Sequence, residues 1–352
     1  MAIAGAGHLP KPRFDYRSIA ENTINKSHNA FNRKAVLPVG TIQSFSRLYK
    51  EHKDLCSRLN ERRHARSMIG DRIRDSNIQK DDVAKASARE DAKRLKTEVQ
   101  DLETQVAQLE EELLAIALAI PNDTHPDSPL GPELAAVTLS THGPTPLPAS
   151  LGRDHINVGK KLDLFDFEAG ALVTGSSWYY LLNEAALLEI ALTNYALSIA
   201  TKHGFIPVTT PDVVRSDIAS RCGFHPRDNS DPPVSQMYGV VTSNETGQLT
   251  SSELVLTGTA EIPLAGMFAN KIFPATSLPL KVVGLGRAFR AEAGARGHDT
   301  RGLYRVHQFT KLELFAVTTV DGSDEMLESI RKVQVKILDG LQVPFRWARI
   351  SH

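Results

Sequence analysis

The sequence predicts an α+β chain, with an N-terminal antiparallel coiled-coil arm of α-helices followed by an antiparallel β-sheet core with flanking helices. Three stretches carry that expectation. Two long segments between Thr41 and Ile120 repeat apolar residues at alternating threes and fours. A helical stretch from Asn183 to His203 runs straight into the strand-like Gly204 to Pro211. Finally, Pro279 to Glu313 reads PLKVVGLGRAFRAEAGARGHDTRGLYRVHQFTKLE, two strand-like runs around a polar, glycine-rich loop.

The chain has 352 residues and a net charge of zero, with 41 basic and 41 acidic side chains. Such a length fits two or three domains, and only local charge patches can speak for a nucleic-acid partner. Cys56 and Cys222 lie far apart and make neither a disulfide framework nor a zinc spacing, which fits a reducing compartment. Leu113 to Ile120 is apolar but too short to span a membrane. The N-terminus carries Lys11, Arg13 and Arg17 against Asp15 alone before Glu21. That bias fits a transit segment and an ordinary N-terminus equally well.

In chain order, Tyr16 to Ala30 reads as a short helical lead, and Pro38 to Gly40 breaks it. From Thr41 a long helix places Phe45, Leu48, His52, Leu55, Leu59, Arg62, Arg66, Ile69 and Ile73 in its seam. The polar stretch Arg74 to Asp82 is expected to turn the chain. A second helix then aligns Ala92, Leu95, Val99, Leu102, Val106, Leu109, Leu113, Ile116 and Ile120. Two such legs form an antiparallel hairpin reaching about 50 Å. The first leg bears Arg58, Arg62, Arg63, Arg66, Arg72, Arg74 and His64, a stripe that suits either phosphate contact or a solvated face. The expected domains are 1–120 with the arm at about 41–120, a Pro- and Ser-rich linker at 121–152, and a core at 153–352.

In the core, Asn183 to His203 offers Ala185, Leu188, Ala191, Leu192, Tyr195, Ala196 and Ile199 as one apolar face. Leu254 to Glu261 reads as a strand closing on the small polar turn Thr259-Ala260-Glu261, which opens a helix from Ile262 to Asn270. In the hairpin the expected strands are Leu280 to Glu292 and Leu303 to Phe315. Alternation would then project Arg290 with Glu292, and His307 with Phe309, Lys311 and Glu313. Arginine forks, carboxylates and a ring on one sheet face suit an anionic ligand with a flat base.

The hairpin resembles motif 2 of the class II aminoacyl-tRNA synthetases in its seryl-tRNA synthetase form. The match runs through Phe289-Arg290-Ala291-Glu292-Ala293-Gly294, Gly297 to Phe309 and Lys311-Leu312-Glu313. Asn183 to Pro211 resembles motif 1, the dimerisation element, and Gln236-Met237-Tyr238 matches a further family segment. The resemblance implies ATP-dependent activation of L-serine and its transfer to tRNA(Ser), by a homodimer, with ATP as substrate and Mg2+ as its metal. Neither a membrane nor DNA is implied as partner. Arg290 and Glu292 match the catalytic residues. Thr259, Ala260, Glu261, Arg290 and Glu313 match the serine-binding set. Arg290, Ala291, Glu292, Val306, His307, Gln308 and Phe309 match the ATP-binding set, with Phe309 stacking on adenine. Arg58, Arg62, Arg63 and Arg66 on the arm, with Arg296 and Arg301 in the loop, would meet tRNA, read by shape and backbone more than by base edges.

The run Thr257-Gly258-Thr259-Ala260-Glu261 and the basic start resemble the organellar, bacterial-like branch, which implies the mitochondrial matrix, with the cytoplasm as the alternative. Beyond Val343-Pro344-Phe345-Arg346 the family pattern continues, whereas this sequence ends at His352. The expectation is therefore a core that stops before motif 3 and before the magnesium-binding acid, with weak or absent ligation. An RNA-binding protein of this ancestry without catalysis is the competing expectation. A coiled-coil interaction protein with a degenerate core fits poorly with the intact hairpin.

Overall fold

The computed structural model describes residues 9–35, 37–79, 82–224, 236–243, 249–292 and 301–350. They divide into two compact units, one built on Pro10–Leu139 and the other on Ser140–Trp347.

The first unit is helical. Asp15 accepts the Ser18 N–H at 2.9 Å and caps α1 (Tyr16–Glu21). The expected helical lead breaks at Asn22, and α2 (Thr23–Asn32) follows. The arm is α3 (Thr41–Gln79) against α4 (Asp82–Ala119). Its core joins Phe45, Leu48, Leu55 and Leu59 to Val99, Leu102, Val106, Leu109 and Leu113, with Ile19 of α1 docked on the same cluster. Each fully buried side chain of this kind contributes roughly 1.5–3 kcal/mol.

Two expectations about the arm are corrected. Arg74 to Asp82 was expected to turn, yet α3 runs on to Gln79. Between Gly70 and Gln79 there is neither glycine nor proline to stop it, and Arg74 pairs with Asp71 one turn back at 3.0 Å. Arg62 and Arg66 do not occupy the seam. Both are exposed, and Ala65 packs inward with Ile69, Ile73, Ala88, Ala92 and Leu95. A guanidinium at that depth would lose its hydration, so the smaller neighbour takes the place.

The second unit begins in the Pro-rich stretch expected to be a bare linker. That stretch already carries β1 (Val137–His142). Then come α5 (His155–Lys161), β2 (Phe165–Asp166), α6 (Phe167–Val173), β3 (Tyr180–Leu181) and α7 (Asn183–Lys202). After them come β4 (Ile206–Thr209), β5 (Val213–Arg215), α8 (Ser216–Arg221), β6 (Gly239–Ser243), β7 (Leu249–Leu256) and α9 (Glu261–Phe268). The long hairpin is β8 (Leu280–Phe289) with β9 (Gln308–Val317), followed by α10 (Ser323–Gly340) and β10 (Phe345–Arg349). The architecture is α+β.

The central sheet has the order β4-β8-β9. It is mixed, not purely antiparallel. β8 and β9 pair antiparallel from Leu280↔Val317 to Phe289↔Gln308, while β4 lies parallel to β8. The intervening connection is long and carries a second sheet, β5-β7-β6, which allows the parallel pairing.

Helices cover both faces of the central sheet. Val283, Leu312 and Leu314 point to the face where Ile199 and Ala200 of α7 meet Ile330, Val333 and Ile337 of α10. The opposite face meets α9. There, a Cβ on Gly284 would stand 2.8 Å from Leu264 Cδ1 and 3.3 Å from Ala260 Cβ, so only glycine lets the helix lie this close. The expected apolar face of α7 holds in its C-terminal half alone. Leu188 and Leu192 are exposed, with Leu187 and Ile190 beside them.

Candidate active site

The α9-facing side of the hairpin carries Phe309, Lys311 and Glu313 in line along β9, because alternate strand residues share a face. Opposite Lys311 and Glu313 stand Gly286 and Gly284, whose lack of a side chain lets Thr210 and α9 approach β8 closely. β7 ends at Leu256 and the chain turns inward, burying Thr257 and Thr259. Thr259 Oγ1 donates to Glu313 Oε2 at 2.8 Å. Lys311 Nζ donates to Thr259 Oγ1 at 2.9 Å and to the same Glu313 oxygen. One carboxylate, one ammonium and one hydroxyl thus form a closed polar triad, with Glu313 about one-fifth exposed. A small ligand with an ammonium and a hydroxyl can enter this network by exchanging hydrogen bonds rather than meeting an unsatisfied charge.

Beyond the end of β8, Arg290 lies over the Phe309 ring, with Cζ 5.1 Å from the centroid. The Arg290 backbone exchanges hydrogen bonds with residue 307. Its N–H donates to His307 O, and its carbonyl faces His307 Nδ1, both at 2.9 Å. His307 is boxed by Trp178 and Tyr238 at 5.7 and 6.1 Å between ring centres. Glu292 adopts a left-handed φ of 47°, uncommon for a residue with a Cβ, and takes Arg305 as partner at 3.3 Å. A cleft of about 500 Å³ opens here, walled by Arg290, Glu292, Tyr304, Arg305, Phe309 and Tyr179. Burial, then the nearby Glu189 carboxylate, push the Tyr179 phenol up. That phenol stays a donor, to Gln308 O at 3.2 Å.

Two family profiles match this chain. One, for the seryl-tRNA synthetase N-terminal domain, covers residues 14–124, and one for the class II tRNA synthetase core domain (G, H, P, S and T) covers 245–350. The serine–tRNA ligase of Rhodopirellula baltica is 37% identical over 337 residues, spanning 94% of this chain and 74% of the relative. The chain belongs to the seryl-tRNA synthetase family. The mitochondrial serine–tRNA ligase of Saccharomyces cerevisiae is 34% identical, over 96% of this chain and 72% of that one. Among solved structures, the seryl-tRNA synthetase of Pyrococcus horikoshii, complexed with ATP, superposes with a TM-score of 0.81 at 29% identity, covering 96% of this chain and 77% of that one. The chain thus spans about three quarters of the length of these relatives.

Within this seryl-tRNA synthetase fold most of the expected site residues come together, by a route that differs from the expectation. The second strand was expected from Leu303 but starts at Gln308, so Val306 and His307 lie outside it. Arg290 and Glu292 do not share a strand face, since β8 ends at Phe289. Both corrections have one cause. The Arg290–His307 exchange closes the ladder, and beyond it Ala291 N–H donates to Gln236 O at 3.0 Å instead of to β9. Ala260 is buried under the sheet, whereas Glu261 is exposed at the start of α9, its N–H donating to Thr259 Oγ1 at 3.2 Å.

Arg296 lies outside the described residues. Arg301 pairs with Asp154 at 3.1 Å. On the arm, Arg62 and Arg63 reach Glu98 and Glu103 of the other leg at 3.3 and 2.8 Å. Arg58 and Arg66 are exposed and form no ion pair among the described residues. No group of three or more His, Cys, Asp or Glu side chains among those residues is placed to hold a metal ion. Sequence reasoning overlooked three contributors, namely Lys311 as the cation of the triad, Arg305 as the partner of Glu292, and Tyr179 in the cleft wall. The charge alternation Lys311-Leu312-Glu313 was a usable signal for the first. The other two depend on chain crossings that no local pattern encodes.

Proposed function

We propose that this chain supplies the serine- and ATP-recognising part of a serine–tRNA ligase, forming seryl-adenylate and passing the seryl group to tRNA(Ser). One observation carries the reading. The Thr259–Lys311–Glu313 triad and the Arg290–Phe309 pair share one sheet face, so an amino acid and a planar base with a phosphate between them have matching partners in line.

In this reading the adenine ring takes the Phe309 face, and Arg290 sets its fork between the serine carboxylate and the α-phosphate. There it offsets the repulsion of two approaching anions, which is the principal barrier to their reaction. Glu292, held by Arg305, accepts from the adenine amino group. Glu313, with Thr259, receives the serine hydroxyl and amine, and alanine would leave that carboxylate short of a hydrogen bond. Ala291, Val306, His307 and Gln308 line the nucleotide with backbone groups. The arm, which we place at about 41–120, grips RNA phosphates through Arg58, Arg62, Arg63 and Arg66. The exposed Leu187, Leu188, Ile190 and Leu192 of α7 form the face of a homodimer, since an apolar patch of this kind in water calls for a partner. A mitochondrial site of action is the finer reading, supported by the basic start and by the yeast mitochondrial relative.

Serine-dependent ATP–pyrophosphate exchange tests the reading, with alanine and threonine as controls. Exchange with serine alone supports it. RNA binding without any exchange would favour the competing reading, an RNA-binding relative without catalysis.

A further inference from the structure

We infer that Asp154 and His155, which no expectation above assigned a role, are positioning residues for the nucleotide-side wall of the cleft. The inference rests on the reading of that cleft as an ATP site. Asp154 caps α5, its Oδ1 accepting the Ile156 N–H at 2.8 Å. Its other oxygen, Oδ2, takes Arg301 at 3.1 Å. His155 Nε2 accepts the Leu303 N–H at 3.1 Å, and its Nδ1 lies 3.9 Å from Asp154 Oδ1. The same ring meets Tyr304 edge-on, with centres 4.7 Å apart. Between these contacts sits Gly302, at φ +64°. A Cβ there would fall 2.2 Å from His155 Nε2 and 2.9 Å from Ile156 Cγ1.

Four consecutive residues, Arg301 to Tyr304, therefore each contact the start of α5, Arg301 and Tyr304 from side chains that are themselves 51% and 78% exposed. The ion pair is charge-assisted, the backbone N–H has a single side-chain acceptor, and the glycine is required by close approach. The segment so pinned continues as the cleft wall. Leu303, Tyr304, Arg305 and Val306 all line it, and Arg305 holds Glu292. His155 touches no part of the triad around Glu313, so the device acts on the nucleotide end of the site and leaves the amino-acid end alone. A wall fixed in advance spares the ligand the cost of ordering it.

The test uses the full chain with His155→Leu, His155→Gln and Gly302→Ala. Gln keeps an acceptor oxygen near the place of Nε2, whereas Leu keeps bulk without it. We expect the Leu303 amide to exchange with deuterium roughly tenfold faster in His155→Leu, about what one net hydrogen bond supplies, and within about twofold of wild type in His155→Gln. Gly302→Ala, which drives a methyl against Nε2 itself, should match His155→Leu. ATP affinity should fall in step with amide exchange while serine affinity stays unchanged. Equal Leu303 exchange in wild type and His155→Leu would overturn the inference. So would a loss of ATP and serine binding in equal measure, or a His155→Gln variant as weak as His155→Leu. Amide exchange needs no catalysis, so it decides the positioning role even if the wild-type chain binds no ATP and the reading of the cleft falls.

Discussion

The Arg290 guanidinium lies over the Phe309 ring at 5.1 Å, and among the described residues its Nε has only a long contact, 3.4 Å, to the Gly258 carbonyl. Among those residues its fork is aimed by an aromatic face rather than consumed by an ion pair, an arrangement that suits an anion. Arg290→Ala should lower serine-dependent ATP–pyrophosphate exchange by about 10²–10³-fold, the usual cost of one transition-state charge contact. Arg290→Lys should recover little, because an ammonium neither stacks nor binds two oxygens at once. Phe309→Leu should weaken ATP binding by about 1 kcal/mol through the lost cation–π contact, with serine binding unchanged. Equal effects of Phe309→Leu on both substrates would contradict the assignment of the ring to the base.

Glu313 shares one oxygen between Thr259 and Lys311. Glu313→Gln keeps the shape and removes the charge, giving Lys311 at best a neutral amide oxygen in place of the carboxylate. Serine KM should rise by roughly tenfold or more, and the preference for serine over alanine should shrink. Exchange assays across both amino acids read this directly. A variant that binds serine less well yet rejects alanine as before would mean that Glu313 does not face the hydroxyl.

How much of this was legible beforehand divides along physical lines. The arm was read nearly whole, because a heptad seam is a local pattern and Phe45, Leu55, Val99 and Leu113 bury as their spacing dictates. One of its two errors, the turn from Arg74, came from treating polarity as a stop signal where neither glycine nor proline was present. Arg290 and Phe309 were legible as members of a long motif, but their joint placement was not. That placement depends on where the β8–β9 ladder ends, and the end is set by His307 docking among Trp178, Tyr238 and the Ser177 carbonyl, contacts made across long stretches of chain. The parallel pairing of β4 with β8 was hidden for the same reason, since strand order is a property of the whole sheet.

Acid should reveal the Asp154 contacts. The Ile156 N–H, and after it Arg301, hold the Asp154 carboxyl below the usual carboxylate range. A carboxylate depressed in the folded state stabilises fully above its unfolded value of about 3.9, and that stability is lost as pH falls through the lower folded value. Thermal melts of wild type and Asp154→Asn should therefore differ at pH 7 and converge as pH drops below about 4. A gap that stays constant across that window would show that the charge of Asp154 is irrelevant.

Leu187, Leu188 and Ile190 stand exposed on α7, at 68%, 57% and 58% of full accessibility. If this is a dimer face, Leu188→Glu should yield monomers in sedimentation at micromolar concentration, with the helical content retained. A second charge brought against its symmetry mate in an apolar interface costs several kcal/mol. Unchanged dimers, or monomers in both proteins, would place the interface elsewhere.

The last prediction separates the four arm arginines by their partners. Arg62 and Arg63 bridge the legs to Glu98 and Glu103, so part of their charge is already neutralised. Arg58 and Arg66 point outward without such partners among the described residues. Each phosphate contact contributes nearly one unit to the dependence of log affinity on log salt. Arg58→Ala with Arg66→Ala should therefore flatten that slope by about two units on tRNA(Ser) and weaken binding in low salt. Arg62→Ala with Arg63→Ala should flatten it less, because removing them frees two acidic side chains while deleting two basic ones, and should lower the melting temperature of the arm slightly. Neither pair should alter serine-dependent exchange, which needs no RNA. Filter binding across a salt series, with exchange measured in parallel, distinguishes these outcomes. Identical slopes for both double variants would mean that RNA strips the inter-leg pairs apart and uses all four arginines alike. A loss of exchange in either would show that the arm also supports the chemistry of the core.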